Sequence, residues 1–281
     1  MYDQTGLTAA PTLGQSRGFI DTRLYRVTGF LHPADAMTLA VVSRAQHDRG
    51  WTGAIAEIGV YYGRLYALIG ALMDAGREQG LAADIFAKGD RPEEGAAQRR
   101  AFEATIAGIG RLRQATTIVE GDSADLTGAA VRDTVGPVRL FSVDGGHELH
   151  HVHNDARVAR DALAETGVIA FDDFMNPQYP DVSVGVIDFL RGDGADLRPF
   201  CITKAKLYVC PAAVHADYVD AVKTGAYWAG VRRESFTVLG AEVVHCLQSV
   251  ANRALYQKAA ERGLGAVARR FLKEDRPVHR R

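Results

Sequence analysis

Asp144, His147, His150, His151, His153 and Asp155, all able to carry protons or ligate a metal, crowd into FSVDGGHELHHVHNDA, residues 141–156. Carboxylates and imidazoles at this density can hold a metal ion, supply a catalytic base with its neighbours, or coat a solvated helix. If a helix begins at His147, then His147, His150, His151 and Asn154 share one face, because offsets of three, four and seven repeat at helical spacing. That face could bind zinc. However, His150 and His151 would lie a turn away from the preceding strand, whereas the acids gather at its tip. A second pair of carboxylates, Asp172 and Asp173 in FDDF, closes another short apolar run. If the two runs are adjacent strands, Asp144, Asp172, Asp173 and His147 meet at one edge. Three buried like charges repel unless one is protonated or a cation sits among them. A hard divalent ion such as magnesium or calcium suits such oxygen ligands.

The elements that would position these residues follow from the pattern. Short aliphatic runs at residues 54–58, 82–86, 116–120, 138–143 and 167–171 alternate with amphipathic stretches at 65–79, 98–109, 125–134 and 152–165. That alternation predicts an α/β protein, Rossmann-like and doubly wound, with a mostly parallel sheet wrapped in helices. RPFCITKAKLYVCP adds a C-terminal antiparallel hairpin, giving seven strands. Residues 1–50 read as a polar arm and a covering helix, 51–211 as the core, and 212–281 as an extension packed on it.

In such sheets ligands bind beyond the carboxyl ends of the strands. After the first run comes EIGVYYGR, with Glu57, Gly59 and Gly63 in a turn that lets the backbone approach a ligand. The second run delivers Asp84, placed to accept from ribose hydroxyls. The third delivers Asp122 and Ser123, either an adenine contact or a helix cap. The proline-containing segment 175–185 reads as a cover over the site with Tyr179 as an aromatic wall, or as an ordinary connection. His153, on another face, reads as solvent-exposed, and Asp155 as a helix-surface or packing residue.

Taken in order, Glu57-x-Gly59-x-x-x-Gly63, Asp84, Gly121-Asp122-Ser123, Asp144-Gly-Gly-His147 and Asp172-Asp173 resemble the class I S-adenosylmethionine-dependent methyltransferases. Within that class, DGGH followed by FDD resembles the metal-dependent macrocin and mycinamicin sugar O-methyltransferases of antibiotic biosynthesis. The resemblance implies that Glu57, Gly59 and Gly63 line the methionine end of S-adenosylmethionine, Asp84 the ribose, and Asp122 and Ser123 the adenine. It further implies magnesium, or another divalent cation, on Asp144, Asp172 and Asp173, with His147 as general base. Tyr61 departs from it, standing where the wider class often has glycine. The acceptor would be a sugar-bearing or otherwise polyhydroxylated small molecule. Two other readings are a cofactor-binding scaffold without turnover and a metalloenzyme of related fold acting in hydroxylation.

With 33 Lys and Arg against 34 Asp and Glu, the net charge of -1 creates no field toward nucleic acid or an anionic membrane. The apolar runs fall short of the roughly 20 residues a membrane helix needs. A start without a secretory signal and three scattered cysteines predict a soluble protein in a reducing cytoplasm. The resemblance leaves room for a homo-oligomer, and no stretch of sequence specifies one.

Overall fold

The computed structural model describes residues 10–74, 76–87, 92–109 and 112–272. The first nine residues of the expected polar arm lie outside that range. The rest of the arm is α1 (Leu13–Thr22), capped by Thr12, whose hydroxyl accepts from Gln15 N. The covering helix α2 (Pro33–Asp48) follows, with proline in its first turn. The core then alternates β1 (Ala54–Ile58), α3 (Arg64–Ala71), β2 (Gly80–Asp84), α4 (Pro92–Ala107), α5 (Leu112–Ala115), β3 (Thr116–Glu120), α6 (Gly128–Val135), β4 (Val138–Val143), α7 (Leu149–Ala162) and β5 (Leu163–Phe171). After α8 (Pro180–Arg191), β6 (Leu197–Ile202) and β7 (Leu207–Pro211) form the expected hairpin. The chain closes with α9 (His215–Thr224), β8 (Arg232–Val238), β9 (Ala241–Leu247), α10 (Val250–Glu261) and α11 (Gly265–Ala268).

All nine strands form one sheet in the order β3-β2-β1-β4-β5-β7-β6-β9-β8. The expected count of seven was therefore too low. Strand β9 adds parallel to β6, and β8 pairs antiparallel with β9. Residues 232–247 show only partial alternation, and the edge they join is invisible to local periodicity. Strands β1 to β5 run parallel, as expected.

Several local boundaries also moved: α3 stops at Ala71 where a helix to residue 79 was expected, and β2 runs Gly80–Asp84 where 82–86 was expected. Residues 163–165, expected to end a helix, start β5, and residues 180–185, expected in a covering loop, are the first turns of α8. Pro180 permits this because a first-turn proline lacks only an N–H that would be unsatisfied anyway.

Side chains of the central strands alternate between two cores. Ile55, Leu140, Val168 and Ala170 pack toward the face covered by α1, α2 and α3. Ala56, Ile58, Phe141, Ile169 and Phe171 pack toward the face covered by α7 and α8. Burial on both faces explains why these runs are aliphatic throughout. Near the start of β4, the fully buried guanidinium of Arg139 meets Glu78 Oε1 at 2.6 Å and Gln46 Oε1 at 2.7 Å. A buried cation so thoroughly partnered ties α2 to the strands at the end of the sheet away from the site.

The sheet order reverses between β1 and β4, since β2 and β3 extend one way and β5 the other. This switch point is where loops diverge and open a crevice.

Candidate active site

At the carboxyl end of the switch point lies a cavity of about 940 Å³ whose walls include every residue expected to hold cofactor, metal or proton except Gly63; His150, His153 and Asp155 do not line it. Backbone bonds set the floor: Asp144 N donates to Ile58 O (2.9 Å), Gly59 N to Ala83 O (2.8 Å), and Asp172 N to Val143 O (2.9 Å). These bonds extend the parallel ladder one residue past each strand. The tips of β1, β2, β4 and β5 are thus held in register.

Gly59 takes φ +83°, and a Cβ there would collide with the Asp144 carbonyl. Only glycine permits this approach. Gly63 is also left-handed, and begins α3 with its Cα against the Phe102 ring. Tyr61, between them, is held at φ +53°, an uncommon value for a bulky residue. Its N–H donates to Asp84 Oδ2 at 2.8 Å, while Phe86 N donates to Asp84 Oδ1 at 2.7 Å. Asp84 therefore ties the β1 and β2 loops together, and its remaining lone pairs face the cavity. Burial raises its carboxyl above the usual range against the pull of those two N–H groups. Among the described residues, four of the six non-glycine residues with positive φ, Tyr61, Phe86, Asp173 and Met175, lie in the loops after β1, β2 and β5. Strain of this kind collects where backbone must be bent to serve a ligand.

Glu57 is 2 % exposed, and its Oε2 has no hydrogen-bond partner among the described residues. Burial pushes its carboxyl well up. Asp122 caps the turn after β3 by accepting from Ala124 N (2.9 Å), and also meets His151 Nε2 at 3.2 Å. His151 was expected to sit behind the site; it lines the cavity instead, because α7 leans over the β3 loop.

Asp155 is fully buried beneath the Gly145 turn, with neither carboxylate oxygen hydrogen-bonded. It is a packing residue, and an uncomfortable one. Burial raises its carboxyl to about 6, against the Ser123 and Asn154 side chains. A raised acid stabilises the fold below its unfolded value and loses that stability as pH rises through its folded value. Asp155→Asn is therefore expected to be more stable than wild type above pH 6, by up to about 3 kcal/mol, with the gain vanishing near pH 4. Thermal unfolding of both proteins across that range checks it, and a pH-independent difference would refute it.

The acid edge borders the same cavity at the tips of β4 and β5. Asp144, His147 and Asp173 each offer a ligand atom, all within 4.8 Å of one another. His147 Nε2 lies 3.2 Å from Asp173 Oδ2, and its ring stacks on Tyr179 at 3.7 Å and 15°. Burial pushes Asp173 up, but the His147 and Asn176 side chains outweigh it and hold it below the usual range. Burial and then the neighbouring Asp172 charge raise Asp144 well above its ordinary value. Asp172 faces a residue the sequence reading used only to mark a hairpin: Lys206, 1 % exposed, whose Nζ lies 2.7 Å from Asp172 Oδ2. A second unforeseen carboxyl, Asp35 of α2, is pushed by burial to about 6. A lone acid among the apolar residues of α2, and a lysine between two β runs, were the available signals.

On the outer rim, Phe30 is 83 % exposed and stacks on Tyr61 at 5.9 Å. With Tyr179 it gives the cavity mouth aromatic surfaces on two sides. No helix among the described residues is long and apolar enough to cross a membrane.

Comparison with known proteins agrees with this geometry. Residues 56–174 match the family model of the methyltransferase domain. No curated protein matches in sequence. Among solved structures, the O-methyltransferase NovP is similar at a TM-score of 0.51 and 14 % identity, over 65 % of this chain and 83 % of that one. CalS11, a TDP-rhamnose 3'-O-methyltransferase in calicheamicin biosynthesis, is similar at 0.46 and 20 % identity over 62 % and 77 %. MycE, a methyltransferase of the mycinamycin pathway crystallised with Mg and SAH, is similar at 0.46 and 18 % over 73 % and 55 %. The matched stretch carries the glycine turn of β1, Asp84 and the tips of β4 and β5 that border the cavity, and is there similar to methyltransferase domains.

Proposed function

We propose that the protein is an O-methyltransferase acting on a hydroxyl of a sugar-bearing or otherwise polyhydroxylated small molecule. The observation that carries this reading is that the glycine turn of β1 and the acid edge with His147 open on one cavity, so a cofactor and a hydroxylated acceptor would meet there.

Glu57, Gly59 and Gly63 would hold the methionine end of the cofactor, Asp84 its ribose, and Asp122 with Ser123 its adenine. S-Adenosylmethionine supplies an electrophilic methyl group. The chain must then present an acceptor oxygen in line with it and remove that oxygen's proton. His147 is placed for the proton, with Asp173 beside it to stabilise the imidazolium that forms. Tyr179 fixes the imidazole plane by stacking, and aromatic surfaces at the mouth exclude water from the acceptor.

The acid edge fits a hard divalent ion such as magnesium: its ligand atoms are close together, oxygen-rich and buried enough to need a counter-charge. Asp144, Asp172 and Asp173 are the carboxylates at that edge. A bound ion would lower the pKa of acceptor hydroxyls resting on it.

Calorimetry with S-adenosylhomocysteine tests the cofactor half. Asp84→Ala is expected to weaken binding by about 10- to 100-fold, the worth of hydrogen bonds to a charged acceptor. No binding by the wild-type protein would overturn the reading. Turnover should be lost with a chelator and restored by magnesium.

A further inference from the structure

The charge balance at the acid edge holds more than the proposed ion. Lys206 lies on the connection between β6 and β7, outside the stretch that matches the methyltransferase domain. Its connection is fixed by Thr203 N donating to Lys206 O (2.9 Å) and Lys206 N donating to Thr203 Oγ1 (3.1 Å). The side chain points inward and ends at the Asp172 carboxylate. Burying an ammonium costs several kcal/mol unless acids surround it. The acids around it are Asp172, at 2.7 Å, with Asp144 and Asp35 beyond.

Asp172 is thereby occupied on both oxygens. Oδ2 meets Lys206, and Oδ1 accepts the Asp173 N–H at 3.0 Å. The ligand atoms that cluster within 4.8 Å belong to Asp144, His147 and Asp173, and Asp172 is not among them.

We propose that Lys206 is a built-in counter-ion that takes Asp172 out of the divalent ion's shell, leaving Asp144 and Asp173 as the carboxylates that carry the ion. This rests on the metal reading above. Asp172 becomes a positioning residue: it holds the Asp173 N–H with one oxygen and the lysine with the other, and so aims Asp173. Two carboxylates balance a divalent charge, whereas a third, already neutralised by lysine, adds nothing the ion needs. The remaining coordination positions are left to water and acceptor hydroxyls.

Manganese binding to the full-length chain, followed by water-proton relaxation with S-adenosylhomocysteine present, reads this directly without turnover. Asp173→Asn and Asp144→Asn are expected to weaken manganese by about 10-fold or more each, and Asp172→Asn by clearly less. Lys206→Met is expected to tighten it about 10-fold, because the freed Asp172 becomes a third charged ligand. Lys206→Arg keeps the charge and should leave affinity near wild type. The proposal fails if Asp172→Asn weakens manganese as much as Asp173→Asn does, or if Lys206→Met folds and binds it no tighter. Should Lys206→Met not fold, the asparagine series decides alone. No manganese binding by wild type would remove the metal reading and this inference together, while cofactor calorimetry would still stand separately.

Discussion

His147→Ala is expected to lower methyl-transfer turnover by about 100- to 10,000-fold, the usual worth of a general base, while S-adenosylhomocysteine affinity stays unchanged. The separation follows from position. His147 stands at the acid edge, and its contacts are Asp173 and the Tyr179 ring, neither of them assigned to the cofactor. It is half-exposed, so truncating it should leave the melting temperature close to wild type. Single-turnover methylation of a model polyol, paired with calorimetry, makes the measurement. If turnover stayed within about tenfold of wild type, the base would have to be sought elsewhere on the cavity wall. His32 would be the next candidate, but burial first, then Arg253, lowers its imidazole to about 4, which suits a neutral hydrogen-bonding group better than a base.

Gly59→Ala should act on the fold and the cofactor together. The added Cβ would collide with the Asp144 carbonyl at a backbone conformation that L side chains rarely adopt. A left-handed penalty plus overpacking between backbones costs about 3 kcal/mol or more. Neither partner can step aside cheaply, because Asp144 N and Gly59 N are both committed to the sheet ladder. Relief must come from parting the β1 and β4 tips, which would move the glycine turn away from the acid edge. The expected result is a lower melting temperature with loss of cofactor binding. Retention of both would show that the two tips are less tightly coupled than their hydrogen bonds imply. Gly121→Ala is a fitting control, since no atom lies within 4 Å of the Cβ it would add, although its φ of +158° carries some backbone strain.

The parallel core was legible because each strand is buried on both faces and so reads as an uninterrupted aliphatic run; β1, β3 and β4 fall where the runs lie. The residues at strand tips were legible for a related reason. A strand that ends at a switch point must be followed by glycine or acid if a ligand is to approach, and Gly59, Asp84, Asp144 and Asp172 all stand at such ends. What stayed hidden was whatever depends on a distant partner. Lys206 marked no more than a hairpin connection until the β5–β7 pairing placed it against Asp172. Asp155 read as a helix-surface or a packing acid, and only the Gly145 turn closing over it decides for packing. His151 looked remote from the strand tips until α7 brought it to Asp122. Strands β8 and β9 alternate weakly because one face of β8 is partly solvated, and only their pairing shows where they belong.

Strand β9 has a consequence for how the chain may be cut. It shields the outer backbone of β6 over Cys201 and Ile202, and β8 in turn shields β9. A truncation after Pro211, where the hairpin ends, would turn β6 into a bare sheet margin with unpaired amide and carbonyl groups. It would also strip Val244 and Cys246 from the apolar cluster that includes Cys201. Such a fragment would keep every residue of the acid edge, yet it should recruit strands from neighbouring molecules and come out of solution. Residues 232–247 thus act as a guard rail for the sheet, keeping its backbone hydrogen bonds inside one molecule.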